Sequence, residues 1–145
     1  MSTDDKSASF PDLSINNPMN FDLEVDPEAV LQQVFVDKQI HSGRFEITFV
    51  SVEDIQSLHK EYMDDPTSTD IITFNLGTHD EIDADIYICP QVAKAHAEQF
   101  GVPYRNEIQL LLIHGVLHCL GYDDMSTEDK IVMDAEQDRI LRTLV

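Results

Sequence analysis

One stretch near the end of the chain constrains its fold more than any other. Two histidines, His114 and His118, lie four positions apart in the apolar run of residues 108–120. This run has no proline and predicts a helix. Residues four apart in a helix are neighbours on one face, with about 5–6 Å between Cβ atoms. Both imidazoles can therefore reach one metal ion, and Gly121 can end the helix in the left-handed conformation.

The turn after this glycine can return a carboxylate to the same ion. Asp123 and Asp124 follow directly after Tyr122. Two histidines and one carboxylate leave the fourth tetrahedral position open, as in catalytic zinc sites. The alternative is a histidine pair that only packs or faces solvent. Gly115 stands where zinc proteases carry their glutamate base, and it cannot transfer a proton, so the usual kind of metalloprotease is excluded.

The same stretch resembles the YbeY family of bacterial metallo-endoribonucleases. The letters HGVLHCLGYD at residues 114–123 match the family pattern, in which a third histidine stands where this chain has Asp124. A second match is TDIITF at residues 69–74, and a third is the segment around Asp85, where Ala84 replaces the usual glycine. The resemblance covers about residues 10–144.

The resemblance implies a ligand set of His114, His118 and Asp124 that holds one Zn²⁺ per chain. A carboxylate also binds zinc, but it makes the site more negative and harder, so another metal is easier to accommodate. Asp123 is the competing ligand. The bound ion would lower the pKa of its water and polarise a phosphoryl oxygen. The general base and the attacking nucleophile stay unassigned.

The resemblance also implies a function and partners. We expect a cytoplasmic endoribonuclease specific for single-stranded RNA that acts in ribosomal RNA processing, ribosome maturation and quality control. Its partner would be the ribosome or the small ribosomal subunit, with no membrane or DNA partner, and its oligomeric state is left open. Two alternatives remain: a metal-dependent hydrolase of a non-RNA substrate, and a ribosome-assembly binding protein with a structural metal.

Two further positions concern the phosphate and the ligand histidines. The family carries an arginine, thought to act on the phosphate, where this chain has Met63. Lys60, one turn earlier, is either a replacement cation or a solvated surface lysine. Glu107, two turns before His114, is either a carboxylate that orients a ligand histidine or an acid favoured at the start of a helix.

The remaining candidates are expected to be structural or to lie on the surface. Asp70 should end or anchor a strand, with a role in the site as the alternative. Cys119 points about 100° away from the histidine face of its helix, so it should be a core thiol rather than a ligand. The other histidines considered have no metal-like spacing and are expected at the surface: His59, His79 and His96.

The charge balance conflicts with RNA binding. The chain has 28 acidic and 9 basic residues, a net charge of −19, whereas RNA-binding proteins usually show a basic patch. Three explanations compete. The protein does not bind nucleic acid, or it binds RNA through a small patch within a larger assembly, or it works in a salty cytosol. At about 1 M salt the Debye length is about 3 Å, and we favour this halophilic source as a hypothesis.

Length and pattern predict an α+β fold: a small mixed β-sheet with packed helices and a metal site at the end of a central helix. The first nine residues are expected to be a disordered tail, and residues 10–145 a single domain. The start of the chain does not resemble a signal peptide, and two cysteines in 145 residues form no disulfide framework, so reducing cytosol is expected. We also predict core-facing positions at Tyr62, Ile131 and Ala135.

Overall fold

A computed structural model describes residues 9–63 and 69–144, apart from the Met63 side chain. The predicted tail lies mostly outside these residues. Four strands form one sheet in the order β1-β2-β4-β3, with β1 parallel to β2, β2 parallel to β4, and β3 antiparallel to β4. The predicted mixed sheet is confirmed. The strands are β1 Asp12–Asn16, β2 Arg44–Phe49, β3 Ile71–Asn75 and β4 Asp83–Ile88.

Five helices accompany the sheet in the described part of the chain, and the α+β class is confirmed. Their bounds are α1 Pro27–Asp37, α2 Val52–Met63, α3 Pro90–Phe100, α4 Tyr104–Cys119 and α5 Thr127–Thr143. Side-chain oxygens cap three of them. Asp26 accepts the Glu28 amide at 3.1 Å, Ser51 accepts the Asp54 amide at 3.1 Å, and Ser126 accepts the Asp129 amide at 3.0 Å. These caps satisfy amides that the helices cannot pair.

Helix α4 is the centre of the fold. It packs against α1, α3, α5 and the strands β3 and β4, so apolar residues cover most of its circumference. A Cβ atom at Gly115 would lie 3.1 Å from Ile86 Cδ1 and 3.4 Å from Ile71 Cδ1. The helix therefore lies close to the sheet at this turn, directly between the two histidines of the sequence pattern.

The sheet separates two apolar cores. The larger core includes Phe45, Ile47 and Phe49, which alternate along β2 and are fully buried. The smaller core contains Ile55 of α2 and Ile72 of β3. The alternation of buried and partly exposed residues along β2 and β4 is typical of strands with one face on the core.

Two predictions of core-facing residues are wrong. Ile131 is 62% exposed and Ala135 is also exposed, because α5 turns Met133, Gln137 and Ile140 towards the core instead. Because one residue of this buried stripe is a glutamine, the pattern of apolar residues alone does not identify the stripe.

Tyr62 is also exposed, at 59%, rather than buried in the core. Its ring packs edge-on against Phe74 at a centroid distance of 5.2 Å, so it covers the smaller core from outside. Within the described residues, no helix combines the length and the apolar character needed to cross a bilayer.

Ion pairs connect α5 to the end of α1. Lys38 Nζ lies 2.6 Å from Glu136 Oε2, and Arg139 Nη2 lies 2.7 Å from Asp37 Oδ2 and 2.8 Å from Glu136 Oε2. Hydrogen bonds from Arg139 and then Lys38 lower the pKa of Glu136 from 4.5 to about 2. The charged carboxylate is therefore favoured in the folded state.

We predict that Glu136 contributes to acid sensitivity. A carboxyl whose pKa is lower in the folded state stabilises the fold above its unfolded pKa, and this contribution is lost as pH falls from about 4.5 to about 2. Glu136→Gln should lower the urea midpoint at pH 7 and narrow its difference between pH 7 and pH 3. Asp138→Asn, at an exposed site on the same helix, is the control. If the urea midpoint of Glu136→Gln differed between pH 7 and pH 3 by as much as that of the wild type, Glu136 would not be a source of the acid sensitivity.

Candidate metal centre

The two histidines of α4 lie side by side, as their spacing predicts. Their rings are nearly parallel, with an angle of 9° and a centroid distance of 6.4 Å. His114 is half-buried, whereas His118, one turn closer to the end of the helix, is exposed. The pair therefore extends from the interior to the surface at the end of the central helix.

A buried glutamine fixes the orientation of the inner ring. The Nδ1 atom of His114 lies 2.6 Å from Oε1 of Gln137, which is only 6% exposed. The amide oxygen can only accept a hydrogen bond, so in the neutral ring the proton lies on Nδ1 and Nε2 has the lone pair. The second nitrogen is therefore the one available to a metal ion.

In the sequence, this orienting role was one of two alternatives for Glu107, and Gln137 gave no comparable signal. The only available signal was a polar residue four positions after Met133 and three before Ile140, both of which are buried. To recognise Gln137 as buried, one must know which face of α5 packs against the core, and the sequence did not reveal that face.

The inner histidine faces a cleft of about 200 Å³ between α4, α5 and the start of β3. His114 and Asp124 both line this cleft, whereas Asp123 lines a separate one and its carboxylate accepts the Met125 amide at 3.1 Å. The turn thus directs the two aspartates to different clefts. The other polar residues that line the cleft are Asp70, Glu107, Lys130, Asp134 and Gln137.

The predicted ligands do not form the tightest cluster of metal-binding side chains. Among the described residues, ligand atoms within 4.8 Å of one another occur in Asp70, His96 and Glu107. His114, His118 and Asp124 do not meet this distance, so the ligand set stays a prediction. The cluster Asp70–His96–Glu107, which we call the acid–histidine cluster, can itself hold a metal ion.

Three separate elements build the acid–histidine cluster. Asp70 precedes β3, His96 is on α3, and Glu107 is in the first turn of α4. The Asp70 carboxylate lies 3.2 Å from His96 Nδ1. Burial and then the negative charge of Asp70 raise the pKa of Glu107, against the opposing effect of His96. Asp70 also anchors a strand as predicted, because its carbonyl accepts the Cys89 amide at 2.9 Å.

Two more histidines lie beside the pair on α4. His59 lines a neighbouring cleft together with His114 and His118. His79 lines another cleft, which His118 also lines. A Cβ atom at Gly121 would lie 3.1 Å from the His79 ring. Spacing in the sequence carries no signal for these neighbours, because the fold alone brings them together.

The remaining candidates from the sequence are Cys119, Lys60 and Met63. Cys119 is buried, and burial raises its pKa to about 12, so the prediction of a core thiol is confirmed. Lys60 is exposed on α2, and the Met63 side chain lies outside the described residues. Lys130, which sequence analysis did not single out, is the cation that lines the cleft of His114.

The fold and the cleft define a small α+β protein in which a histidine of the central helix lines one cleft together with several carboxylates, and nitrogen and oxygen donors of this kind can bind a divalent metal ion. A sequence model of the family described as endoribonuclease YbeY matches residues 15–145. The chain belongs to the YbeY family, and this membership supports a role as an endoribonuclease, a hydrolase that acts on RNA.

Relatives and a solved structure agree with this assignment. The chain is 29% identical to endoribonuclease YbeY of Flavobacterium psychrophilum, over 90% of this chain and 94% of the relative. It is 38% identical to endoribonuclease YbeY of Staphylococcus epidermidis, over 72% and 75%. The solution structure of TM1509 from Thermotoga maritima has a TM-score of 0.68, with 24% identity, over 91% of this chain and 87% of that one. This last match supports the fold alone.

We predict that Gln137 selects the tautomer of His114. In the metal-free protein at neutral pH, long-range ¹H–¹⁵N spectra should show His114 protonated at Nδ1. Gln137→Met removes the acceptor with little change in volume, so a substantial Nε2–H population should appear. The His118 signals serve as the internal control. An unchanged His114 tautomer in Gln137→Met would show that the 2.6 Å contact does not fix the ring.

Proposed function

We propose that this chain is a metal-dependent endoribonuclease that cleaves single-stranded RNA during ribosomal RNA processing, ribosome maturation and quality control in the cytoplasm. The observation that carries the proposal is the pairing of His114 with buried Gln137, in a cleft that Asp124 also lines. A histidine held by a buried acceptor at one nitrogen is the usual state of a metal ligand. Family membership supplies RNA as the substrate class.

We assign the ion to His114, His118 and Asp124. Two nitrogens and one carboxylate oxygen suit Zn²⁺ and leave a coordination position open for water or substrate. When bound, the ion supplies a Lewis acid for a phosphoryl oxygen and a lower pKa for its water. The chain contributes orientation: Gln137 keeps the proton of His114 on Nδ1, so Nε2 stays a donor of electrons.

The cleft also bears on the form of the RNA. A cleft of about 200 Å³ accommodates a phosphodiester more easily from a flexible strand than from a rigid duplex, which supports single-stranded RNA as the substrate. The partner that presents such strands is the ribosome or its small subunit, on the basis of the family resemblance.

The acidic composition favours one alternative. With a net charge of −19, the protein repels polyanions unless salt or a bound cation screens its surface. The same donor set would then serve hydrolysis of a smaller substrate that is not RNA. RNA cleavage measured across salt concentrations separates the two functions.

We predict that metal content follows the proposed ligand set. Mass spectrometry of the purified protein should find about one zinc per chain, consistent with a single site of the catalytic type. His118→Ala and Asp124→Ala should each lose most of it, since two remaining ligands hold zinc weakly. His96→Ala should keep it, because His96 belongs to the acid–histidine cluster.

The paired control is Asp123→Ala, which should retain its zinc because Asp123 lines a different cleft. If His96→Ala lost its zinc and His118→Ala kept it, the result would show that the ion binds at the acid–histidine cluster. Retention of zinc in all four variants would contradict both assignments.

We predict metal-dependent cleavage of single-stranded RNA. A labelled unpaired oligoribonucleotide should be cut by the zinc-loaded wild-type protein, and the same sequence in a duplex should resist. Activity should rise between low salt and about 1 M KCl if screening of the acidic surface limits binding. Chelation or His114→Ala should abolish cleavage without unfolding the protein. A fully metallated protein that cuts no RNA at any KCl concentration would favour the alternative substrate.

A further inference from the structure

The proposed cleft contains little positive charge for an anionic substrate. Four carboxylates line it, Asp70, Glu107, Asp124 and Asp134, against the single lysine Lys130. A phosphodiester that enters the cleft adds another negative charge. The position of this one ammonium group therefore matters more than it would on a neutral surface.

Lys130 is held by a contact that is easily exchanged. Its Nζ atom lies 2.9 Å from Asp134 Oδ2, four residues further along α5, and the two side chains are 61% and 50% exposed. Exposed pairs of this kind contribute little, because water screens the two charges. A backbone phosphate offers the same donor an acceptor of equal charge, so exchange from carboxylate to phosphate costs little.

Three other cations among the described residues are committed to contacts elsewhere. Lys38 and Arg139 form the cluster with Glu136 between α1 and α5. Arg44 pairs with Asp83 and with other carboxylates along the sheet. These groups stabilise contacts between elements and do not line the cleft of His114.

We propose that Lys130 is the phosphate-binding residue of this cleft, and that Asp134 is its partner in the free protein. When RNA enters, the ammonium group exchanges the Asp134 carboxylate for a backbone phosphate beside His114 and Asp124. Asp134 thereby opposes binding, both as a competitor for Lys130 and as a like charge. This inference rests on the proposed function and assigns the substrate contact that Met63 cannot make.

The test is the affinity for a fluorescein-labelled 2′-O-methyl oligoribonucleotide, measured by anisotropy on the zinc-loaded protein across KCl concentrations. Lys130→Gln should raise the Kd about tenfold and shift the slope of log affinity against log salt by about 0.7 in the positive direction, the value for the loss of one contact to a single strand. Lys130→Arg should retain most of the affinity. Asp134→Asn should lower the Kd several-fold, in the opposite direction.

Matched controls on the same helix remove the effect of net charge. Arg142→Gln and Asp138→Asn make the same charge changes at exposed positions outside the cleft, and each should stay within about twofold of wild type. Equal effects of Lys130→Gln and Arg142→Gln, or weaker binding by Asp134→Asn, would overturn the inference. So would a wild-type protein that does not bind the oligonucleotide at any salt concentration.

Cleavage of an unmodified strand distinguishes this inference from the proposed function. A wild-type protein that binds RNA but does not cleave it would refute the proposed reaction, while the Kd series would still decide the role of Lys130. A protein that cleaves RNA with no change in Kd or salt slope in Lys130→Gln would retain the function and lose the inference.

Discussion

The close contact between α4 and the sheet at Gly115 determines where everything else in this protein lies. Any side chain there would meet Ile86 and Ile71 at 3.1–3.4 Å, so the glycine lets the helix approach the strands. Most residues in the second half of the helix are then buried, whereas His114 is half-buried and His118 is exposed. The two histidines are therefore the polar groups that this half of the helix presents to the clefts around it.

Parts of the structure that depend on local chemistry could be predicted from the sequence. Asp26, Ser51 and Ser126 cap helices because each oxygen reaches an amide two or three residues away. The alternation of β2 and the stacked histidines of α4 follow from backbone periods alone. These features follow from residues that are close in sequence and need no knowledge of the fold.

The features that the sequence did not reveal depend on contacts between distant elements. Gln137 reaches His114 across 23 positions, and the acid–histidine cluster joins residues from three elements. The wrong core face of α5 has the same cause, since Ile131 is apolar but exposed and Gln137 is polar but buried. Polarity is a poor guide where a buried polar group satisfies a partner inside the core.

Asp124 in place of the family's histidine changes the balance of charge in the cleft. A carboxylate binds a divalent cation more strongly through charge than a neutral imidazole does, so the substitution favours the ion. It also adds a negative charge next to Asp70, Glu107 and Asp134, which disfavours an RNA phosphate. In the proposed site, metal affinity and substrate affinity therefore respond to this position in opposite directions. A cation close to Asp124 reduces the repulsion of the phosphate, and Lys130 lines the same cleft from α5.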